Sequence, residues 1–327
     1  MASKFHRSIL VTGGTANLGY QCTINIARRY PDYQIVIASR SDPDSSAESI
    51  NRLLSQKNVK FLQLDLSSLA QVRSFAAEWE ANQFPPIYSL VFNAALQFPG
   101  DVQYTDDGFE KTFAISHIGH ALLFSLLRPH LADTARVVIV SSGTHDPAQK
   151  SGLPDAYYSS AEEIAHPKGD ALKNNGRQRY ATAKLTNVLY SYALHRRFEA
   201  INKKTGKHWT IAAFDPGLMP GTGLARDATG FERFLWLKVL PKIMPLLRLL
   251  FSPNVHTAEY SGQMLARLVT GSDEEIGSGK YYEENRQIKS SDASYDKDKQ
   301  EDLWKWTVKT VAKNDSEMSL FDLKDLL

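Results

Sequence analysis

Tyr180 and Lys184 are the two residues of this chain whose types and spacing most directly suggest chemistry. Residues four apart share one face of a helix, so the Tyr180 phenol and the Lys184 ammonium would lie side by side. A fixed positive charge stabilises a phenolate, which allows a tyrosine to act as a general acid or base near neutral pH. The pair alone indicates little, because most such pairs lie on solvated helix faces.

A glycine-rich run from Thr12 to Gly19 supplies a second motif. It follows the apolar run Ser8–Val11 and leads into Leu18–Tyr30, a stretch of helical length. In this strand-turn-helix context, glycines let the backbone approach a pyrophosphate, and the helix N-terminus offers unpaired N–H groups and partial positive charge. The run therefore predicts a dinucleotide site rather than an ordinary turn without a ligand.

The end of the second predicted strand indicates which dinucleotide is bound. This strand runs into Ala38-Ser39-Arg40 and carries no acidic residue there. A carboxylate at this place would bind a free pair of ribose hydroxyls, whereas Arg40 can pair with a 2′-phosphate. The sequence thus favours NADP(H) over NAD(H), although an arginine would also suit a solvated strand end.

The elements that must position these residues alternate regularly. Short apolar runs alternate with stretches of helical length, which predicts an α/β fold with a doubly wound parallel sheet. The predicted strands are Ser8–Val11, Ile35–Ala38, Lys60–Leu64, Ser89–Phe92, Arg136–Val140 and Trp209–Phe214. The predicted helices are Leu18–Tyr30, Ser45–Gln56, Leu69–Asn82, Phe109–Leu131 and Arg179–Ile201, with a final helix bearing Trp304 and Trp306. We expect one domain over residues 1–327, with insertions at 143–178 and 218–253.

The composition excludes several classes of protein. The 327 residues include 38 basic and 36 acidic ones, so bulk charge implies no nucleic-acid partner. The single cysteine, Cys22, excludes a disulfide framework and is expected to be a buried, inert thiol. His117 and His120 are expected to be packed histidines rather than metal ligands, because no Cys, Asp or Glu set accompanies them. The polar segment Met1–Arg7 leaves no room for a secretory signal and no uninterrupted apolar run could span a membrane, so we expect a cytoplasmic protein.

The glycine-rich run resembles the T-G-x-x-x-G-x-G motif of the short-chain dehydrogenase/reductase family. Asn17 stands at the middle glycine, and asparagine is among the least penalised residues at positive φ. Further blocks follow in the family's order between Ile9 and Leu224. This resemblance implies that NADP(H) is bound by Gly13, Thr15, Asn17, Leu18, Gly19, Ser39, Arg40, Asp65, Leu66, Asn93, Ala94, Ala95, Tyr180, Lys184, Pro216, Gly217 and Thr222.

The same resemblance implies roles for the catalytic residues. Tyr180 is the expected acid or base, and Ser142 is expected to orient and stabilise the substrate oxygen. Lys184 is expected to lower the pKa of the tyrosine and to bind the nicotinamide ribose. Ser116 stands where the family has a catalytic asparagine that holds a water chain, which leaves open whether this chain supports the same proton relay.

Several segments are similar to the retinol dehydrogenase and protochlorophyllide reductase branch of the family. They include the insertion 143–178 and the run 179–190, while the turn Ala16–Gly19 is similar to that of fungal 3-ketosteroid reductases. These likenesses imply a bulky, mostly apolar small-molecule substrate. The family also often forms homodimers or homotetramers through the helices predicted here at 109–131 and 179–201.

The segment Phe231–Phe251 is rich in Leu, Trp and Phe, with basic residues between them. It would suit a lid over an apolar substrate pocket, which we favour, or a peripheral membrane contact, or core packing. Two prolines within it argue against one long helix lying on a surface. The sequence therefore predicts a C-terminal apolar lid insertion.

The leading functional hypothesis is an NADPH-dependent ketoreductase, or reversible dehydrogenase, acting on a carbonyl or alcohol of an apolar molecule. One alternative is a weakly catalytic protein that binds NADP(H) as a sensor or scaffold, which the departures at Asn17 and Ser116 leave open. Another is a membrane-peripheral sterol or lipid ketoreductase, which differs in location and substrate.

Overall fold

The predicted apolar runs form the strands of one sheet. The structure, a computed structural model, describes residues 5–223, 230–272 and 274–322. Its strands are β1 Arg7–Thr12, β2 Tyr33–Ser39, β3 Val59–Gln63, β4 Ile87–Phe92, β5 Leu131–Val140, β6 His208–Asp215, β7 Lys280–Glu283 and β8 Arg286–Ile288. They form an eight-stranded sheet in the order β3-β2-β1-β4-β5-β6-β7-β8, in which only β8 runs antiparallel to its neighbour.

Helices cover both faces of this sheet. They are α1 Asn17–Arg29, α2 Ser46–Leu54, α3 Leu69–Ala81, α4 Lys111–Phe113, α5 Gly119–Leu127, α6 Ala161–Ala165, α7 Gly176–Thr205, α8 Gly230–Phe234, α9 Met244–Leu250, α10 Ala258–Thr270, α11 Lys297–Val311 and α12 Asp315–Asp322. Short 3-10 helices lie at Arg128–His130, Gly143–His145, Pro147–Gln149, Gly169–Lys173, Leu240–Lys242 and Asp292–Tyr295, and π-helical turns lie at Ala114–Ile118 and Leu235–Val239. The helix predicted over Phe109–Leu131 is thus divided by a π-helical turn.

Alternate side chains of the central strands pack into two separate cores. In β1, Leu10 belongs to a core shared with α3, α5, α7 and α11, whereas Ile9 and Val11 belong to a second core shared with α1, α2 and α10. Cys22 is buried in the second core as a free thiol, as predicted. Burial on both faces explains why the strands are continuous apolar runs, and it confirms the predicted doubly wound sheet.

The last third of the chain adds elements that we did not predict, namely α8, α9, α10, β7, β8 and α12. The predicted helix bearing Trp304 is α11, and the Trp304 ring stacks on Tyr190 of α7 with a centroid distance of 5.6 Å. Every residue of α7 from 179 to 194 is buried, because strands β5 and β6 as well as α11 pack against this helix. Helix α11 thus packs against α7, one of the two helices at which we expected two copies to pair.

The two ends of the segment between β6 and α10 are joined to each other by backbone hydrogen bonds. Leu218 and Val255 form a parallel β-bridge. The Leu218 N–H donates to the carbonyl oxygen of Asn254 at 2.8 Å, and the His256 N–H donates to the carbonyl oxygen of Leu218 at 2.9 Å. The base of the segment is thereby fixed beside the carboxyl end of β6.

Candidate active site

One cavity of about 760 Å³ lies at the carboxyl ends of the strands. Its wall contains the residues that follow β1, β2, β3, β4, β5 and β6. Every residue predicted to bind NADP(H) lines it, from Gly13 to Thr222, and so does Ser142. Ser116 is the one predicted site residue that does not line this cavity. The fold therefore brings almost the whole predicted site together, as expected at this edge of a doubly wound sheet.

Two residues with positive φ shape the turn between β1 and α1. Gly13 has φ 66° and Asn17 has φ 47°. Asparagine tolerates this left-handed conformation, so the turn keeps its shape without the family's middle glycine. Gly19 is required for a different reason, because an added Cβ would lie 2.2 Å from the carbonyl oxygen of Gly13. The helix therefore begins in close contact with the turn.

Thr12 and Asn93 join the ends of β1 and β4 beneath this turn. The Asn93 Nδ2 donates to the carbonyl oxygen of Thr12 at 2.8 Å. In return, the Thr12 Oγ1 accepts from the backbone N–H groups of Asn93 at 3.0 Å and Ala94 at 3.1 Å. These reciprocal hydrogen bonds hold the two neighbouring strand ends at a fixed distance across the cavity floor.

The first turn of α1 lines the cavity without a side-chain cap. Ala16 at its N-cap provides no side-chain hydrogen bond, and the first turn contains no acidic residue. Helices α3, α7 and α10 differ, because the side chains of Ser68, Asn175 and Thr257 cap them. Uncapped N–H groups and the helix dipole together favour an anion. The turn therefore fits the pyrophosphate of a dinucleotide.

The loop after β2 forms the next part of the cavity wall. Thr15 Oγ1 donates to Ser39 Oγ at 3.0 Å, which ties this loop to the glycine-rich turn. Arg40 is exposed and lines the cavity. Asp42 also lines the cavity, but its Oδ1 accepts from the backbone N–H of Ser46 at 2.8 Å, at the start of α2. The exposed guanidinium of Arg40 can thus meet an anionic ligand, while the Asp42 carboxylate is engaged at the start of α2.

Lys184 is fixed between α7 and the end of β5. Its Nζ donates to the carbonyl oxygen of Val140 at 3.0 Å and lies 5.4 Å from the ring centroid of Tyr180. Ser141 Oγ donates to the carbonyl oxygen of Lys184 at 2.8 Å. These two hydrogen bonds run in opposite directions between the same two elements. They place Tyr180 and Lys184 against the strand end that carries Ser142.

The backbone of Ser142 is held by a buried histidine. His145 Nε2 accepts from the backbone N–H of Ser291 at 3.1 Å, so this nitrogen carries no proton. His145 Nδ1 therefore donates to the carbonyl oxygen of Ser142 at 2.7 Å. Burial lowers the pKa of His145, which keeps the imidazole neutral in this arrangement. The position of Ser142 thus depends on the loop before α11.

The pKa of Tyr180 is shifted in the direction opposite to our prediction. Burial, and then the negative charge of Asp215, raise the pKa of the Tyr180 phenol. Burial also lowers the pKa of Lys184 to about 8, although Asp215 acts to raise it. The predicted lowering rested on the lysine charge alone, but desolvation of both groups has the larger effect here. The phenol is therefore protonated at neutral pH.

Asp215 is a cavity residue that the sequence analysis did not single out. It ends β6 with 2% of its surface exposed, and burial raises its pKa to about 6. Its Oδ1 accepts from the Gly217 N–H at 2.9 Å, and its Oδ2 accepts from Asn254 Nδ2 at 3.1 Å. Asn254 Nδ2 also lies 3.1 Å from Glu283 Oε2. The available signal was an acidic residue closing an apolar strand directly before the predicted Pro216-Gly217 turn.

Ser116 lies behind the cavity wall, in the π-helical turn between α4 and α5. Its neighbour Ile115 lines the cavity. Ser116 Oγ is buried and has no hydrogen-bond partner among the described residues. The Ser116 carbonyl oxygen accepts from His120 Nδ1 at 3.1 Å, and His120 Nε2 lies 2.9 Å from Thr12 Oγ1. Together with His117, which bonds Thr307, this confirms the prediction of packed histidines.

The segment Phe231–Phe251 borders the cavity. Leu235, Trp236, Leu240 and Phe251 line the cavity, and Trp236 Nε1 donates to the carbonyl oxygen of Thr222 at 2.8 Å. Most other apolar side chains of the segment are at least partly exposed. The predicted lid is therefore not confirmed; the segment contributes one side of the wall.

Comparison with known proteins finds relatives that match most of this chain. The family model of the short chain dehydrogenases matches residues 7–161. A polyprenol dehydrogenase from Danio rerio is 30% identical over 304 residues, which cover 90% of this chain and 84% of that protein. A protochlorophyllide reductase from Daucus carota is 28% identical over 333 residues, which cover 93% of this chain and 78% of that protein.

A solved structure shows the same fold. The crystal structure of an uncharacterised protein from Mycobacterium paratuberculosis superposes with a TM-score of 0.66 at 22% identity, covering 95% of both chains. The relatives confirm the predicted likeness to the protochlorophyllide reductase branch. On the sequence match over most of both chains, this protein belongs to the short-chain dehydrogenase/reductase family.

Proposed function

We propose that this protein is an NADP(H)-dependent oxidoreductase that transfers hydride to or from a carbonyl or alcohol of a bulky, mostly apolar molecule. One observation carries the proposal. The uncapped start of α1, the guanidinium of Arg40 and the three side chains Ser142, Tyr180 and Lys184 line one continuous cavity. A cofactor held at one end of this cavity would thus reach a substrate at the other end.

The choice of NADP(H) rests on the loop after β2. The family uses NAD(H) or NADP(H), so the choice depends on the residues of this chain. Arg40 offers a planar, permanently charged donor set that matches a 2′-phosphate. Asp42 is held by the first turn of α2, which leaves Arg40 to contact the ribose end of the cofactor.

The catalytic side chains suit proton transfer to a carbonyl oxygen. Bound NADPH would supply a hydride to the carbonyl carbon. Tyr180, whose raised pKa keeps it protonated, donates its proton to the oxygen as negative charge develops there. Ser142 donates a hydrogen bond to the same oxygen. Lys184 supplies positive charge beside the phenol and stabilises the phenolate left after transfer, and the alcohol is released.

The substrate class follows from the rest of the wall. Apolar side chains outside the set of predicted cofactor residues also line the cavity, among them Leu153, Leu218, Met219, Leu235, Trp236, Leu240 and Phe251. Relatives carry the names polyprenol dehydrogenase and protochlorophyllide reductase, which supports a large apolar substrate here. A pocket of this kind binds such molecules by removing apolar surface from water.

The test is turnover of apolar carbonyl compounds with NADPH by the wild type and by Tyr180→Phe. We expect the variant to lose activity by roughly 10²–10⁴-fold while it still binds NADPH, because only the transferable proton is removed. Tyr190→Phe is the matched control, since Tyr190 lies on the same helix and its buried hydroxyl has no partner among the described residues. Normal turnover by Tyr180→Phe, or NADPH binding without turnover by the wild type, would favour a sensor or scaffold instead.

A further inference from the structure

The segment Phe231–Phe251 concentrates exposed apolar surface. Over the described residues, six of the thirteen large hydrophobic side chains that are exposed lie in this segment. They are Phe231, Phe234, Leu246, Leu249, Leu250 and Phe251, and Leu249 and Leu250 are 80% and 74% exposed. Single exposed apolar residues are common on proteins, but a cluster of this kind marks an interaction surface.

The same segment is strongly basic. It contains four basic residues, Arg233, Lys238, Lys242 and Arg248, and one acidic residue, Glu232. All four basic side chains are exposed. The segment thus has a net charge of +3, whereas the whole chain has a net charge of only +2. Basic residues next to exposed Phe and Leu are the combination that binds anionic membrane surfaces, where apolar side chains enter the lipid and cations meet headgroups.

Five of the six exposed apolar side chains do not line the cavity, and Phe251 is the one that does. Leu235, Trp236 and Leu240 line the cavity, whereas Leu249 and Leu250 do not. A lid serving only to cover a substrate would have no need for apolar side chains on its outer side. No helix among residues 5–223, 230–272 and 274–322 is long and apolar enough to cross a membrane. The outward apolar side chains, together with the basic residues between them, therefore fit a contact with a membrane surface.

We propose that segment 231–251 binds this protein to the surface of bilayers that contain anionic lipids. Phe231, Leu249 and Leu250 enter the acyl boundary, and the four basic side chains contact lipid headgroups. The cavity wall at Leu235 and Trp236 is then adjacent to the membrane, so an apolar substrate passes from lipid to cavity without crossing water. This last consequence rests on the proposed function, whereas the binding itself does not.

The experiment is co-sedimentation of the full chain with vesicles of phosphatidylcholine and phosphatidylserine, compared with vesicles of phosphatidylcholine alone. We expect binding to the mixed vesicles that weakens with added salt, and a loss of about tenfold or more in partitioning for Leu249→Ser combined with Leu250→Ser. The matched control combines Leu53→Ser with Leu172→Ser, which removes two exposed leucines elsewhere. Turnover of a water-soluble carbonyl should be the same in all three proteins.

Two outcomes would overturn the proposal. One is that the wild type does not sediment with mixed vesicles, whatever its activity. The other is that the Leu249 and Leu250 variant dissociates a dimer in sedimentation velocity while vesicle binding is unchanged, which would assign the surface to a second copy. Activity without vesicle binding would refute this proposal alone, and vesicle binding without activity would refute only the proposed reaction.

Discussion

The Lys184 ammonium donates a hydrogen bond to the carbonyl oxygen of Val140 at 3.0 Å. Val140 is the last residue of β5, two residues before Ser142. A single charged side chain therefore links the helix that carries Tyr180 to the strand that carries Ser142. Asn187 Nδ2 donates to the same oxygen at 3.0 Å, which gives a neutral donor beside the charged one.

Because Lys184 and Asn187 donate to the same oxygen, substituting each in turn distinguishes the effect of a lost hydrogen bond from the effect of a lost positive charge. We expect Lys184→Ala to lower kcat and to weaken NADPH binding, since the positive charge beside the cofactor and the phenol is lost. Asn187→Ala removes a hydrogen bond to Val140 without changing charge. It should lower the free energy of unfolding by roughly 1 kcal/mol and leave the NADPH dissociation constant near that of the wild type. Fluorescence titration and urea unfolding measure the two effects; equal loss of NADPH affinity in both variants would contradict this.

The charge of Asp215 should set the alkaline limb of the pH profile. Lys184 has a pKa of about 8, and the Asp215 carboxylate acts to raise the pKa of both Lys184 and Tyr180. Asp215→Asn removes that charge, so both pKa values fall and the limb of kcat/KM against pH moves to lower pH. Glu283→Gln is the control. Glu283 acts to raise the pKa of Asp215, but it is not among the groups that shift the pKa of Tyr180 or Lys184. It should move the limb less, and superimposable profiles for the wild type and Asp215→Asn would refute the role.

Arg40 should decide between the two cofactors. Arg40→Asp removes a charge-assisted contact and places a carboxylate near the 2′ position of the ribose. We expect the ratio of kcat/KM for NADPH over NADH to fall by roughly tenfold or more. Arg177→Gln is the control, since Arg177 also lines the cavity but pairs with Glu232 at 3.5 Å. A wild type that already prefers NADH would rule out this assignment.

Two aromatic residues of segment 231–251 should differ in their effect on substrate binding. Trp236 lines the cavity, whereas Phe234 is 56% exposed and does not. Trp236→Ser should raise KM for an apolar carbonyl, by an amount equivalent to roughly 1–3 kcal/mol, because it removes apolar wall. Phe234→Ser should leave KM in detergent-free solution unchanged. Steady-state kinetics with NADPH at saturation gives both values, and equal effects would place Phe234 at the substrate.

The central fold and the cofactor half of the cavity could be predicted because each depends on local sequence. Strands buried on both faces are continuous apolar runs, and the turn after β1 needs residues that accept positive φ, as Gly13 and Asn17 do. The hairpin of β7 and β8 was missed because its sequence, from Lys280 to Ile288, is short and polar. It forms because β6 offers an edge for pairing, which no local pattern shows.

The electrostatics of the site could not be predicted in the same way. The spacing of Tyr180 and Lys184 correctly indicated neighbours on one helix, but the pKa of a phenol also depends on burial by residues distant in sequence. Asp215 shows the same limit, since its proximity to Lys184 arises only when β6 packs beside β5. Likewise, the position of Ser116 behind the cavity wall follows from a π-helical turn that its sequence does not reveal.

The backbone bridge between Leu218 and Val255 has a consequence for how such enzymes diversify. The bridge joins the two ends of the segment between Leu218 and Val255. The contact of these two ends with the sheet therefore does not depend on the length of the segment. Lengthening a closed loop costs little, about 0.6 kcal/mol for each doubling. Segments of different length and polarity can therefore be exchanged between Thr222 and Val255, so that the substrate range changes while the predicted cofactor residues, Thr222 included, are kept.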